Sequence, residues 1–131
     1  MSAQSPIVLI VEDEELLLKA ITSKLEIEKI TAIPCISGAK AIEYLESKEP
    51  LPDAVWLDYY LKDMNGLAFM KKLKEKKEWA DIPVIVVSNS ASPVSVNTML
   101  ELGAKHYLLK AEHRLEDIIK TLKSTITKEN P

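Results

Sequence analysis

The sequence predicts a doubly wound α/β domain, a five-stranded parallel sheet with helices on both faces. Two features carry this expectation. Five short, nearly continuous apolar runs rich in β-branched residues alternate with segments of helical periodicity, and the residues that close those runs are polar or charged. Runs that are apolar throughout, rather than at every second residue, suit strands buried on both faces, and strand–helix–strand alternation requires right-handed crossovers between parallel strands.

The expected strands are Ile7 to Val11, Thr31 to Ile33, Ala54 to Leu57, Val84 to Val87 and His106 to Leu109. Between them, Leu17, Ile21 and Leu25 recur at helical spacing on a first helix, Ala41, Ile42 and Leu45 on a second, and Leu67, Met70 and Leu73 on a third. A fourth helix is expected from Val96 to Leu102, stopped by Gly103, and a fifth from about Leu115 to Ile126 with Ile118, Ile119 and Leu122 inward. Pro50, Pro52 and Pro83 punctuate loops leading into strands, and Thr127 to Pro131 reads as a frayed tail. For this alternation the flavodoxin-like strand order 2-1-3-4-5 is a common solution.

Composition narrows the function. With 131 residues, 47% of them hydrophobic, the chain has enough apolar mass for one core, so a single domain over 1–131 with its core at about 7–126 is expected. A net charge of −3 offers no broad attraction to nucleic acid phosphates. Cys35 stands alone, which leaves no disulfide framework, CxxC motif or zinc cluster and suits a reducing compartment. The opening MSAQSP lacks the basic stretch and long apolar run of a signal peptide, and no later run is long enough to cross a bilayer, so a soluble, cytoplasmic protein without membrane insertion is expected. No GxGxxG loop follows the first strand, which weighs against a nucleotide site.

Open parallel sheets bind ligands beyond the carboxyl ends of their strands. There the chain places Glu12 and Asp13 after the first strand, Asp58 after the third, Ser88 after the fourth and Lys110 after the fifth. Three carboxylates, a hydroxyl and an ammonium at one rim suit a hard cation such as Mg²⁺, and they suit phosphoryl transfer, where catalysis is mainly positioning and charge neutralisation. Other polar residues have plainer readings. Glu14 and Glu15 match a helix dipole, His106 and His113 are expected on the surface, and Lys71, Lys72, Lys74, Lys76 and Lys77 form a solvated helix face.

The segments VEDEELL, WLDYYLKDMNGL, PVIVVSNSA and GAKHYLLKA, in register and in order from about Ile7 to Ile126, resemble the receiver domains of two-component response regulators. The resemblance implies that Asp58 is the phosphoacceptor and that Glu12, Asp13, Asp58 and the backbone carbonyl of Tyr60 surround a Mg²⁺ ion. It further implies that Ser88 is the switch hydroxyl, Lys110 the phosphate-binding lysine and Tyr107 the aromatic that rotates inward upon activation. The phosphoryl donor would be a histidine kinase or a histidine phosphotransfer protein, and the output a downstream protein target contacted through the fourth helix, fifth strand and fifth helix. No output domain is expected after the fifth helix. An interaction module of the same fold that is never phosphorylated is the alternative. A metal phosphatase with an aspartyl nucleophile is disfavoured, because the second acid expected two residues after the first is replaced by Tyr60.

Four positions depart from the family pattern. Ala111 follows the lysine where proline is usual, so the Lys110–Ala111 peptide is expected to be trans, since a cis bond without proline costs about 2.5–4 kcal/mol. Lys62 replaces a proline common four residues after the phosphoacceptor. Asn89 is bulkier than the small residue common after the switch hydroxyl, and Tyr60 is large for a position bordering the acyl phosphate. The last two are expected to obstruct water and slow hydrolysis of that phosphate.

Overall fold

The computed structural model describes residues 5–47 and 49–129, the side chains of 128 and 129 excepted. Five strands, β1 (Ile7–Val11), β2 (Thr31–Cys35), β3 (Ala54–Asp58), β4 (Val84–Ser88) and β5 (His106–Leu109), form one sheet in the order β2-β1-β3-β4-β5. Every neighbouring pair is parallel. The expected fold and strand order are therefore observed. The order reverses between β1 and β3, which makes their carboxyl ends the switch point where a crevice opens.

The central strands are buried along their whole length, β3 and β4 without a single exposed position. Two cores follow from the alternation of side chains across the sheet. One face presents Val8, Ile10, Trp56, Ile85 and Val87 to α1 (Glu15–Ile27) and α5 (Leu115–Glu129), where Ile21, Leu25, Ile118 and Leu122 pack. The opposite face presents Leu9, Val11, Val55, Leu57, Val84 and Val86 to Ala41, Leu45, Phe69, Met70, Leu73 and Met99 on α2 (Gly38–Glu46), α3 (Gly66–Glu75) and α4 (Pro93–Glu101). Leu18, rather than Leu17, takes the buried place in the first turn of α1, and Leu17 lies half-buried beside it.

Three boundaries move by more than one residue from their expected places, while β3 and β4 each gain one residue, Asp58 and Ser88. β2 runs two residues past Ile33, through Pro34 to Cys35, because an edge strand tolerates a residue without an N–H. α4 begins at Pro93, three residues early. Ser92 caps it by accepting from the Ser95 amide while the Ser95 hydroxyl receives the Ser92 amide, and proline at the first helical position loses no bond. α5 continues to Glu129, so the expected fraying from Thr127 is corrected; residues 130 and 131 lie outside the described residues. Gly103 ends α4 as expected, at φ +108°, a conformation that a β-carbon disfavours. All described peptides are trans, Lys110–Ala111 included.

Two substitutions measure these contributions by urea unfolding. Leu122→Ala, at a fully buried position of α5, should lower stability by about 2–5 kcal/mol through lost burial and the cavity left behind. Gly103→Ala should cost about 1 kcal/mol or more because its φ is wrong for a side chain.

Candidate functional site

The carboxyl edge of the sheet collects the expected residues. Asp58 is the last residue of β3 and Ser88 the last of β4, Glu12 and Asp13 follow β1 directly, and Lys110 follows β5. Strand register holds them there: Asp58 pairs with Val87, and Ser88 with Leu109. Glu12, Asp58 and Ser88 are the buried polar residues of this edge. One carboxylate oxygen from each of Glu12, Asp13 and Asp58 lies within 4.8 Å of the others.

Lys110 answers part of that negative charge. Its Nζ lies 3.1 Å from Glu12 Oε1 and 3.7 Å from Asp58 Oδ2, with all three side chains largely removed from solvent. Glu12 Oε2 accepts the Glu14 amide at 3.1 Å, and Asp58 Oδ1 accepts the Tyr60 amide at 3.3 Å. These bonds do not cancel the cost of burying a charge beside a like charge. Burial first, and the Glu12 carboxylate second, push the Asp58 carboxyl up to about 7, against the opposing pull of Lys110 and the Tyr60 amide. An all-oxygen donor set with excess negative charge fits a hard divalent cation, which would relieve the repulsion that raises Asp58.

The remaining expected residues have partners of their own outside the three carboxylates. Ser88 is fully buried and its Oγ accepts the Ser90 amide at 3.3 Å. Tyr107 is half-buried and its hydroxyl donates to the Ser90 carbonyl at 3.0 Å, so the loop after β4 touches both residues. Tyr60 is 53% exposed and its ring lies edge-on to Tyr59 at 4.8 Å between centroids. Tyr59 in turn lies 6.0 Å from Tyr107. Asn89 is exposed, as are His106 and His113. In the lysine run, α3 stops at Glu75, which leaves Lys76 and Lys77 beyond the helix. Lys74 donates to the Ala80 carbonyl at 2.6 Å and Lys76 sits over the Trp79 ring, so those two are tied to the following turn rather than purely solvated.

Several participants carry no signal in the sequence. The Lys62 amide donates to Asp13 Oδ2 at 2.7 Å, across 49 residues. Asp63 accepts the Gly38 and Ala39 amides at 3.1 and 2.9 Å, joining the β3–α3 loop to the start of α2. Tyr59 links the two expected tyrosines. Helical or strand periodicity cannot reveal such bonds, because they depend on how separate loops meet above the sheet.

Comparison with known proteins agrees with this geometry. The family model described as the response regulator receiver domain matches residues 8–123. The two-component response regulator ORR7 of Oryza sativa subsp. japonica is 35% identical over 103 residues, 79% of this chain and 49% of that protein, so the chain spans about half of that relative. ORR5 of the same subspecies is 33% identical over 81% of this chain and 78% of its own length. Among solved structures, the receiver domain of the Francisella response regulator 1452 has a TM-score of 0.85 at 21% identity, covering 96% of this chain and 100% of that one. The CheY-like receiver domain protein of Methanospirillum hungatei JF-1 also scores 0.85 at 21% identity, covering 95% of each chain, and both likenesses are of fold. Sheet order, acidic edge and family match together make this chain a member of the response regulator receiver domain family of two-component systems.

Proposed function

We propose that the chain is an active receiver whose Asp58 accepts a phosphoryl group from a phosphohistidine of a histidine kinase or a histidine phosphotransfer protein. The observation that carries this reading is the meeting of Glu12, Asp13 and Asp58 within 4.8 Å, with Lys110 bridging Glu12 and Asp58. The ionised Asp58 carboxylate attacks phosphorus, the new O–P bond forms as the P–N bond breaks, and the electron pair returns to the imidazole nitrogen. Glu12, Asp13, Asp58 and the Tyr60 carbonyl are the groups that would hold Mg²⁺. When bound, this cation supplies positive charge that favours ionised Asp58 and offsets charge on the phosphoryl oxygens.

Lys110 is placed to pair with a phosphoryl oxygen at little cost, since it already reaches toward Asp58. Phosphorylation adds roughly −1.5 to −2 charges and strong acceptor oxygens. Ser88, whose hydroxyl is free to donate while accepting only the Ser90 amide, can turn its hydrogen toward them. Movement there reaches Tyr107 through the Ser90 carbonyl that holds its hydroxyl, which supports a switch that alters the face of α4, β5 and α5 toward a protein target. Among the described residues no helix is long and apolar enough to cross a membrane, and we assign the protein to the cytoplasm, where its phosphodonor would meet it. No role in direct nucleic acid binding is proposed, and the chain acts as a signalling phosphoacceptor rather than an enzyme with a turnover substrate.

Intact mass measurement after incubation with acetyl phosphate and Mg²⁺ should show one added phosphoryl group in the parent and none in Asp58→Asn. An unmodified parent would favour the never-phosphorylated interaction module. The raised Asp58 carboxyl also sets a pH dependence. Its protonated form is favoured in the fold, so the contribution of Asp58 to metal-free stability is full below the ordinary carboxylate range and is lost as pH rises through about 7. Asp58→Asn, measured by thermal unfolding without metal, should therefore be more stable than the parent at pH 8, with the advantage shrinking toward pH 5.

A second measurement concerns the lifetime of the acyl phosphate. Tyr60 lies two residues after Asp58 and Asn89 directly after Ser88, and we infer that one or both obstruct water there; an obstruction worth about 1.4 kcal/mol would lengthen the lifetime tenfold. In Mg²⁺, phosphorylated Tyr60→Ala and Asn89→Ala should each decay faster than the parent. Unchanged decay in both would place control of the lifetime elsewhere in the site.

A further inference from the structure

The loop between β3 and α3 is fixed at two adjacent residues, Lys62 and Asp63. Asp63 reaches the start of α2, where its two carboxylate oxygens accept the Gly38 and Ala39 amides at 3.1 and 2.9 Å. The next amides are satisfied locally, Lys40 by the Ser37 hydroxyl and Ala41 by the Ser37 carbonyl. The Gly38, Ala39 and Lys40 amides, which the helix cannot satisfy by itself, thus all have side-chain acceptors, and a carboxylate there also suits the helix dipole. Met64 packs over the same turn so closely that a β-carbon at Gly38 would lie 2.6 Å from its Sδ. One residue earlier the Lys62 amide donates to Asp13 Oδ2 at 2.7 Å, a short bond to an ionisable acceptor.

These bonds are consecutive along the chain. Asp63 is joined to α2 through its side chain, and Lys62, the residue just before it, presents its backbone N–H to Asp13. A side-chain carboxylate that accepts a backbone amide loses rotational freedom, and its plane is set before any ligand arrives. A proline at position 62 could not make this bond, because it has no N–H.

We infer that Asp63 and the backbone N–H of Lys62 form a strap that orients the Asp13 carboxylate toward Glu12 and Asp58, with Asp63 as a positioning residue outside the acidic cluster. The inference rests on the reading of Asp13 as a metal-side carboxylate. The positively charged side chain of Lys62 has no part in it; only the amide acts on Asp13. The β2–α2 and β3–α3 loops therefore act as one support for the site, although they are far apart in sequence.

Calorimetric titration of Mg²⁺ into the metal-free parent, Lys62→Ala, Lys62→Pro, Asp63→Asn and Asp63→Ala tests the strap, with thermal unfolding of each as a control. Lys62→Ala keeps the amide and removes the charge, so it is the reference for Lys62→Pro. Lys62→Pro should bind Mg²⁺ about tenfold more weakly than Lys62→Ala, the order of effect seen when a partner of a metal ligand is removed. Asp63→Ala should weaken binding in the same sense, and Asp63→Asn, which retains one acceptor oxygen, should restore part of the affinity. Equal affinities across the set overturn the strap. Should Lys62→Pro fail to fold, the Asp63 pair decides alone. A parent that binds no Mg²⁺ overturns the metal reading instead. The strap is then judged from amide hydrogen exchange in metal-free protein, where slow exchange at Lys62 should be lost in both Asp13→Ala and Asp63→Ala, and unchanged exchange overturns it.

Discussion

Like charges held together at the edge of an apolar sheet are the constraint on which the rest of this structure turns. Glu12 and Asp58 are almost wholly removed from solvent and lie close to each other and to Asp13. Two unit charges 4 Å apart repel by about 4 kcal/mol at an effective dielectric near 20. No fold would adopt such an arrangement for stability. It persists because β1, β3 and β4 are buried along nearly their whole length, so that the apolar core fixes the strand ends wherever their last residues happen to carry charge.

The compensations are local and incomplete. Lys110 contacts two of the carboxylates, while single backbone amides reach each of the three: Glu14 to Glu12, Lys62 to Asp13 and Tyr60 to Asp58. The remaining imbalance appears in the raised Asp58 carboxyl, whose ionisation is opposed by burial and by Glu12. A site strained in this way responds strongly to added charge, whether a cation that relieves it or a phosphoryl group that adds negative charge and bulk. Strained charge at a functional edge, supported by a well-packed core, is the usual trade between stability and activity.

Aromatic residues connect the acidic edge with β5. Tyr60, Tyr59 and Tyr107 lie in sequence from the acidic edge to β5, and the Tyr107 hydroxyl is held by the loop that follows Ser88. Tyr59 also presses on Gly66, where a β-carbon would lie 2.9 Å from its ring, so the start of α3 is moulded to this tyrosine. On the other face, the buried Trp56 indole N–H has no acceptor among the described residues, a cost of about 1–3 kcal/mol that the large apolar ring offsets by filling the core between α1 and α5.

The five strands, the helices between them and the polar residues that close each strand are legible in short-range pattern, and the order β2-β1-β3-β4-β5 is one common solution for such alternation. Apolar runs marked β1, β3 and β4, helical spacing marked Ile21, Leu25 and Leu122, and the polar residues closing each run were bound to meet once the strands became parallel. Boundaries were less legible where local rules compete: Pro34 lies inside an edge strand, and Ser92 and Ser95 start α4 before its apolar pattern begins. Only the tertiary structure decided which groups hold the site in place. The bond from Lys62 to Asp13 spans 49 residues, and those from Asp63 to Gly38 and Ala39 span 25 and 24. Such bonds depend on loops brought together by the packing of α2 and α3 on the same face of the sheet, and a backbone amide, being present at nearly every residue, leaves no mark in the sequence to show which carboxylate it will meet.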